Sequence, residues 1–452
     1  MKKLFFYIAF ALGLASCSSA DNEDLISAPQ ESPEVSNDHR VTQAEAINLA
    51  MSFKNGSKGT VLSRSEESDA SDVENVVVVR WEDIYPGVPN PVINGDDPVS
   101  RGGLPGSGVK PMPVDTLFYV VNKKNNEGYT VVAADDRTEP IYIVTDKGNY
   151  HPGDWNSAKL GDGCVQIVDR AVETIIRDMG MEVVNYEEQV KDDYLLRVVD
   201  PLLKTKWGAC SPSSLDCYNP NLPDSVDYYN PYLPDPLGFK KSERNTLAVA
   251  VAQILSYKSI TPKNYPNELN WNLILSEYKY KGRKNFGLPT SDETKKQVAN
   301  LINYLYASLE NENWVDSLAE SDNSEIISWF ANQNMSNEGF IDCRIDKVLN
   351  AIDNFNLVCV SILSSIDGHT ERRYLVMDGY DSKYYYYPSG ERRISHLPHC
   401  NWGLNGDFNG YFLARLFDSS YFDTSENHDE LPYEFSFKGC KYMIINNPQN
   451  NL

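Results

Sequence analysis

The apolar and polar positions in the first part of the chain follow a helical pattern and then a series of strand-like patterns. Together these patterns predict a helix followed by strands. Thr42 and Glu45 form a capping-box pattern ahead of an apolar helical face, which predicts a helix beginning after Thr42. Strand-like runs rich in β-branched residues follow at residues 76–81, 116–122, 129–134 and 141–145. A helical period returns over residues 165–179, so this part is predicted to be a small α+β domain.

The second part of the chain repeats the combination of helix and strands with different spacing. Residues 245–256 form an Ala-rich helical pattern that can pack closely against a neighbouring element. Strand-like runs follow at residues 357–363, 373–378, 384–387, 410–417 and 441–445. The fold class predicted for the whole chain is therefore α+β.

The N-terminus has the pattern of a bacterial lipoprotein signal. Lys2 and Lys3 precede an apolar run at residues 4–14, and the sequence Leu-Ala-Ser-Cys ends at Cys17. We therefore expect residues 1–16 to be removed and Cys17 to be lipidated. The alternative is an ordinary signal peptide in which Cys17 is incidental. No later stretch reaches the ~18 apolar residues of a spanning helix, so the expected membrane contact is the lipid anchor alone.

The segment behind this signal is polar and acidic, which predicts a solvated tether at residues 17–40. Acidic residues close behind a lipidated Cys resemble the export signal of surface-exposed outer-membrane lipoproteins. We expect an outer-membrane or cell-surface location after secretion across the inner membrane. The predicted domains are residues 41–195 and residues 196–452.

Charge and cysteine spacing exclude two classes of partner. The formal net charge is −23, and no Lys/Arg cluster is evident, so nucleic acid is not expected to bind. The eight Cys are scattered, without CxxC pairs or Cys/His clusters at metal-ligand spacing. No metal and no cofactor are expected.

Several segments resemble the streptopain family of cysteine peptidases in the family's order. The propeptide of that family, which also occurs as a separate inhibitor, is similar to residues 41–53, 119–122 and 128–137. The mature catalytic domain is similar to residues 200–208, 250–257, 269–271, 376–381, 401–403 and 410–412. The resemblance implies a propeptide/inhibitor-like domain at residues 41–195 and a papain-like domain at residues 196–452.

The resemblance also implies which positions should carry the chemistry, and this chain departs from most of them. The nucleophile position, seven residues before Gln253, is Thr246 instead of Cys. The base position, five residues before Asp378, is Arg373 instead of His. The oxyanion position after the Trp-Gly pair is Ala209 instead of Gln, and Leu404 replaces a cleft Trp. Asn401 and Trp402 are retained.

These substitutions affect three separate chemical roles. Threonine needs an adjacent base to become a nucleophile, and an Arg side chain with a pKa above ~12 cannot accept the proton. Losing one oxyanion donor alone lowers the rate by about 10²–10³. The prediction is a catalytically inactive pseudopeptidase, unless the chemistry has moved to His369, to Cys210 or to His399 with Cys400. We expect His369 in a loop, Cys210 in a disulfide with Cys217 or as a buried thiol, and His399 and Cys400 in a strand.

Three functions remain open from the sequence. The first is a membrane-anchored lipoprotein whose relic cleft, lined by Thr246, Arg373, Asn401 and Trp402, holds a peptide, a protein or its own propeptide-like domain. The second is a cysteine endopeptidase with degenerate motifs, which would be processed near residues 199–206. The third is inhibition of related peptidases by the propeptide-like domain.

Overall fold

A large antiparallel sheet organises the chain in the computed structural model. The structure describes residues 39–53, 70–87, 116–154, 162–180, 197–208, 243–277, 280–281, 284–285, 291–309, 324–366, 369–386, 392–404, 406, 408–418 and 437–446. The predicted signal, Cys17, nearly all of the tether, Ala209, Cys210 and Cys217 lie outside these residues.

Thirteen strands are defined within this described part of the chain. They are β1 (Val73–Arg80), β2 (Thr116–Lys123), β3 (Tyr129–Ala133), β4 (Ile141–Thr145), β5 (Val198–Val199), β6 (Tyr280–Lys281), β7 (Lys284–Asn285), β8 (Ile341–Asp342), β9 (Leu357–Ile366), β10 (His369–Tyr386), β11 (Arg392–Asn401), β12 (Gly410–Phe412) and β13 (Phe437–Ile445). The main sheet has the order β1-β2-β3-β4-β12-β11-β10-β9-β13-β8, and β5 pairs with β10. Strands β6 and β7 form a separate hairpin.

Strands from both sides of the predicted boundary at residues 195/196 share the main sheet. β4 pairs with β12 through Val144 opposite Tyr411, and Gly410 lies so close that a Cβ there would meet the Val144 carbonyl oxygen at 2.2 Å. Only a residue without a side chain fits this approach. His39–Leu452 forms one compact unit, and the division into two domains stays a prediction.

Eight helices are defined in the same described ranges. They are α1 (Gln43–Ser52), α2 (Trp81–Ile84), α3 (Asp162–Gly180), α4 (Glu243–Lys258), α5 (Trp271–Ser276), α6 (Asp292–Ser308), α7 (Ser324–Asn332) and α8 (Ile345–Asp353). Together with the sheet they confirm the α+β fold class. No helix in the described part is both long and apolar enough to cross a membrane.

The two faces of the sheet carry different helices because successive strand residues point to opposite sides. Val120 and Val131 pack on the face that carries α3 and α8. Val121 and Val132 pack on the opposite face against α1. Further along that second face, Cys359 and its neighbours pack with α4, α6 and α7. The helix predicted to carry the catalytic position therefore lies directly on the central strands.

Most predicted elements of the first part are confirmed. Thr42 caps α1, and its hydroxyl accepts from the Glu45 N–H while the Glu45 carboxylate accepts from the Thr42 N–H. Strands β1 to β4 and helix α3 lie close to the predicted ranges. Trp81 was wrongly placed in a strand: it begins α2, where the Asp83 side chain accepts the Arg80 N–H at 2.8 Å.

The predicted strands of the second part differ from the structure in two places. Residues 373–378 and 384–387 were predicted as separate strands, but β10 runs unbroken from His369 to Tyr386. The strand predicted at residues 410–417 ends at Phe412, and a 3₁₀ turn follows at Ala414–Leu416. His369 begins β10 instead of lying in a loop, whereas His399 and Cys400 lie in β11 as predicted.

Candidate functional site

Helix α4 carries in its first turn Thr246, the residue that the sequence resemblance assigns to the nucleophile position. The Ala-rich sequence allows this helix to approach the sheet, and all residues from Leu247 to Leu255 are buried, between the sheet and neighbouring helices such as α6. Thr246 itself is buried, with 8% of its surface exposed. A helix N-terminus would stabilise a thiolate at this point, but a threonine hydroxyl has no charge for it to stabilise.

Thr246 contacts β10 beside Arg373, the residue that the sequence resemblance assigns to the base position. The backbone N–H of Tyr374 donates to the Thr246 hydroxyl oxygen at 3.1 Å, and Tyr374 directly follows Arg373 on β10. Thr246 therefore contacts the backbone of β10 at the residue after Arg373. The hydroxyl accepts from the backbone of the strand, and the side chain of residue 373 is a guanidinium, which has no acceptor atom.

Asn401 and Trp402 stand at the end of β11, where the resemblance places the remaining cleft residues. The Asn401 side chain donates to the Thr205 carbonyl oxygen at 2.9 Å and accepts the Gly403 N–H at 3.2 Å. Trp402 packs among the rings of Phe408 and Phe412 and is 3% exposed. The Asn401 side chain holds two backbone segments together, the Trp402 side chain packs in an aromatic cluster, and neither is open to solvent.

The segment that precedes the oxyanion position is fixed against α4. The indole of Trp207 is fully buried and stacks on Trp271 with ring centroids 6.5 Å apart. The backbone N–H of Trp207 donates to the side-chain oxygen of Gln253 at 3.3 Å. Gln253 on α4 therefore anchors the irregular segment that leads to Ala209.

A buried charge cluster lies behind these residues and was not predicted from the sequence. His399 Nδ1 lies 2.6 Å from Asp378 Oδ1, and its Nε2 lies 3.3 Å from Asp146 Oδ2. Lys206 Nζ lies 3.6 Å from the same Asp146 oxygen. Asp378 also accepts the Leu203 N–H at 2.9 Å. The cluster links β4, β10, β11 and the segment before Ala209.

The electrostatics of this cluster decide the protonation state of His399. Burial lowers the pKa of His399, but the charges of Asp378 and Asp146 outweigh it and raise the pKa to about 9. The imidazole is therefore a cation at neutral pH, with each ring N–H directed at a carboxylate. A histidine in this state has no lone pair with which to accept a proton, so His399 does not serve as a general base.

Two of the described cysteines, Cys359 and Cys400, have thiols whose pKa is raised. Burial raises the pKa of the Cys359 thiol, and burial together with the Asp378 charge raises that of Cys400 well above its ordinary value. Reactive cysteines need the opposite shift, from a helix N-terminus or a nearby cation. Cys400 instead lies close to the Pro398 carbonyl oxygen, at 3.9 Å.

The assignment of Thr246, Arg373, Asn401 and Trp402 stays a prediction, and the sequence did not indicate His399 as the cation between Asp378 and Asp146. The signal was weak because Asp378 and His399 meet only through the β10–β11 register, in which Gly379 lies opposite His399. Within the described ranges, no group of three His, Cys, Asp or Glu side chains could hold a metal ion.

Comparisons with known proteins find similarity in structure. No family model and no curated protein sequence matches the chain. A fragment of prointerpain A from Prevotella intermedia is similar, with 17% identity and a TM-score of 0.40, over 73% of this chain and 94% of that one. The active wild-type interpain A cysteine protease of the same organism is similar, with 16% identity and a TM-score of 0.31, over 56% of this chain and 96% of that one.

Proposed function

We propose that this protein is a pseudopeptidase: a lipid-anchored protein with a streptopain-like fold that does not hydrolyse peptide bonds and keeps its N-terminal part permanently in place. The observation that carries the proposal is the hydrogen bond from the Tyr374 N–H to the Thr246 hydroxyl at 3.1 Å. At the position where the family needs a thiolate and an imidazole, this chain has a hydroxyl bound by the backbone and an Arg side chain.

The environment of the relic site supports occupancy by the chain itself. Thr246, Asn401 and Trp402 are all buried. A peptide ligand would have to displace the contacts that Asn401 makes with the backbone of Thr205 and Gly403. We therefore favour the protein's own segments over a separate peptide as the occupant, and the partner of the mature protein, a peptide or a protein, would bind elsewhere.

The segment where a streptopain-like precursor would be processed supports the same proposal. Val198–Val199 forms β5 and pairs with β10. The Leu202 N–H donates to the Asp378 carbonyl oxygen at 2.8 Å, and the Leu203 N–H donates to the Asp378 side chain. A protease needs an accessible, extended backbone, so a segment hydrogen-bonded into a sheet is a poor site of cleavage.

The proposal predicts that the purified full-length protein neither cleaves casein nor cleaves itself. After prolonged incubation with a reductant we expect a single intact band and no release of casein fragments, while an active streptopain-family peptidase digests casein under the same conditions. We also expect no stoichiometric labelling of any cysteine by a thiol-directed peptidase inhibitor. Intact-mass spectrometry and gel electrophoresis measure both results.

Cleavage near residues 199–206, or labelling of one cysteine together with casein hydrolysis, would overturn the proposal in favour of a peptidase with degenerate motifs. The combined variant Thr246→Cys, Arg373→His, Ala209→Gln provides a matched comparison because it restores all three roles. Hydrolysis by this variant alone would support the assignment of the relic positions.

Membrane anchoring through Cys17 is part of the proposal and has its own test. The signal pattern before Cys17 supports lipidation, and the acidic segment behind it supports a surface location. In a Gram-negative host we expect an alkyne-labelled fatty acid to be incorporated into the protein and to be lost in Cys17→Ala. Incorporation that persists in Cys17→Ala would contradict the assignment, and protease accessibility of intact cells would test surface exposure.

A further inference from the structure

Three buried cysteines outside the relic site lie together on the α3/α8 face of the sheet. Cys343 lies between β8 and α8, Cys400 lies in β11 and Cys440 lies in β13. All three belong to the hydrophobic core of that face, whereas Cys359 belongs to the core of the opposite face. All four are present as thiols in this structure.

The sheet register places Cys343 directly opposite Cys440. Lys441 pairs with Asp342 and Tyr442 with Ile341 in the β13–β8 ladder. The next step of the same antiparallel register pairs Cys440 with Cys343, and the Cys343 N–H donates to the Cys440 carbonyl oxygen at 3.1 Å. Directly opposed residues have Cα atoms about 4.5–5.5 Å apart, which lies within the 4.4–6.8 Å that a disulfide requires.

The side chains of this pair already contact each other. The Cys343 thiol hydrogen bonds to that of Cys440, and this contact together with burial raises the pKa of Cys343 well above its ordinary value. The Cys400 thiol lies within electrostatic range of both. The Cys343 thiol is therefore protonated in the folded state, and both residues are protected from solvent, with 0% of Cys343 and 3% of Cys440 exposed.

We infer that Cys343 and Cys440 are a dithiol site that forms a cross-strand disulfide by exchange with an external disulfide, small-molecule or protein, during folding or local opening. The bond would fasten the start of α8 and the short edge strand β8 to β13. This inference is independent of the proposed pseudopeptidase function.

The exchange balances without any further reactant. The Cys440 thiolate attacks one sulfur of the external disulfide, whose S–S bond breaks and releases one thiol. The Cys343 thiolate then attacks the Cys440 sulfur of the mixed disulfide and releases the second thiol. Two protein thiols are oxidised, the external disulfide is reduced by two electrons, and the two protons end on the released thiols.

The test uses the full-length protein and oxidised glutathione as the external disulfide. One sample is refolded from urea in a glutathione buffer, and a second is incubated folded with oxidised glutathione at a urea concentration below the unfolding transition. Both are acid-quenched, alkylated and digested without reduction, and the cross-linked peptides are identified by mass spectrometry. We expect the Cys343–Cys440 cross-link to dominate among the described cysteines and to add roughly 5 °C to the melting temperature, which a reductant removes.

Matched variants separate this pair from its neighbours. Cys343→Ala should abolish both the cross-link and the reductant-sensitive part of the melting temperature, whereas Cys359→Ala on the opposite face should keep both. Full alkylation of Cys343 and Cys440 in both wild-type samples would overturn the inference. So would a dominant link from either residue to Cys400.

Discussion

Replacing Asp378 with Ala is expected to lower the free energy of unfolding by about 3–5 kcal/mol, because it removes one partner of a buried ion pair. The Asp378 side chain is fully buried, and its two oxygens serve His399 Nδ1 at 2.6 Å and the Leu203 N–H at 2.9 Å. In Asp378→Ala, the His399 cation keeps only Asp146 as a counter-charge, and the Leu203 N–H loses its acceptor in the protein interior.

The loss of stability in Asp378→Ala should be accompanied by a local change near residues 202 and 203. The Leu202 N–H donates to the backbone carbonyl of residue 378 and keeps its acceptor in the variant. Hydrogen exchange should therefore accelerate at Leu203 more than at Leu202. Asp378→Asn, which keeps one carbonyl oxygen as an acceptor, should lose less stability than Asp378→Ala.

Urea unfolding measures the change, with Glu82→Ala as the control. The Glu82 side chain is 73% exposed and lies 3.8 Å from Arg80, so its removal should change the free energy of unfolding by less than about 0.5 kcal/mol. If Asp378→Ala proved no more destabilising than this surface variant, the cluster would not hold the β10–β11 region together.

The stability of the protein is expected to fall by about 3 kcal/mol between about pH 6 and pH 10, as His399 loses its proton. The pKa of His399 is about 9 in the folded protein against an ordinary value of 6.5. A raised pKa means that the folded state holds the proton more tightly than the unfolded state. The contribution is therefore complete below the ordinary pKa and is lost as pH rises through 9.

Several other groups lie near His399, and some of them also affect how the measured stability depends on pH. Asp378 and Asp146 carry the charges that hold the proton, and Lys206 lies 3.6 Å from Asp146. The Tyr411 ring packs edge-on at 5.1 Å, and burial raises the pKa of its hydroxyl well above the ordinary value. Burial lowers the pKa of Lys206, so the wild-type curve above pH 9 also contains that residue.

The histidine contribution is isolated by comparing the shapes of stability curves. His399→Gln should be less stable overall and should lack the fall that begins near the ordinary histidine pKa. His151→Gln should reproduce the wild-type shape, because the His151 side chain is 57% exposed and lies in a surface pair with Asp154. A fall of equal size in His399→Gln would show that another group causes it.

Elements whose determinants are local were predicted well from the sequence. Helix α1 follows from Thr42 and Glu45, which lie three residues apart and satisfy each other's backbone N–H groups. Helix α3 follows from a 3.6-residue period whose buried residues include Ile167, Ala171 and Ile175. In both cases the residues that decide the structure are neighbours along the chain.

Strand β10 shows why other elements were not predictable. Its middle contains Asp381, Ser382 and Lys383, a polar run that is typical of a turn. In the structure Lys383 Nζ lies 2.9 Å from Asp381 Oδ1, and both side chains are fully buried on the same side of the strand. Each charge is tolerated because the other is present, and the Lys383 ammonium also lies 5.2 Å from the Phe53 ring centroid.

The candidate site also contains some residues that the sequence indicated and others that only the tertiary structure revealed. The family resemblance assigned Thr246 and Arg373 to the nucleophile and base positions, and in the structure Thr246 accepts a hydrogen bond from the N–H of Tyr374, the residue after Arg373. Spacing gave no sign that His399 would lie between two carboxylates. Asp146 is separated from it by 253 residues, and their contact depends on β4 and β12 joining the two parts of the sheet.

The sequence by itself determined which residue types stand at the positions that the resemblance assigns to catalysis, where it has neither a thiol nor an imidazole, because chemical identity does not depend on folding. It also determined the elements whose capping and periodicity are local. The tertiary structure alone decided that His399 is a cation, that Cys343 faces Cys440 and that strands from both parts of the chain share one sheet. Burial and nearby charge set a protonation state, and strand register sets a side-chain contact, and neither exists until distant segments pack together.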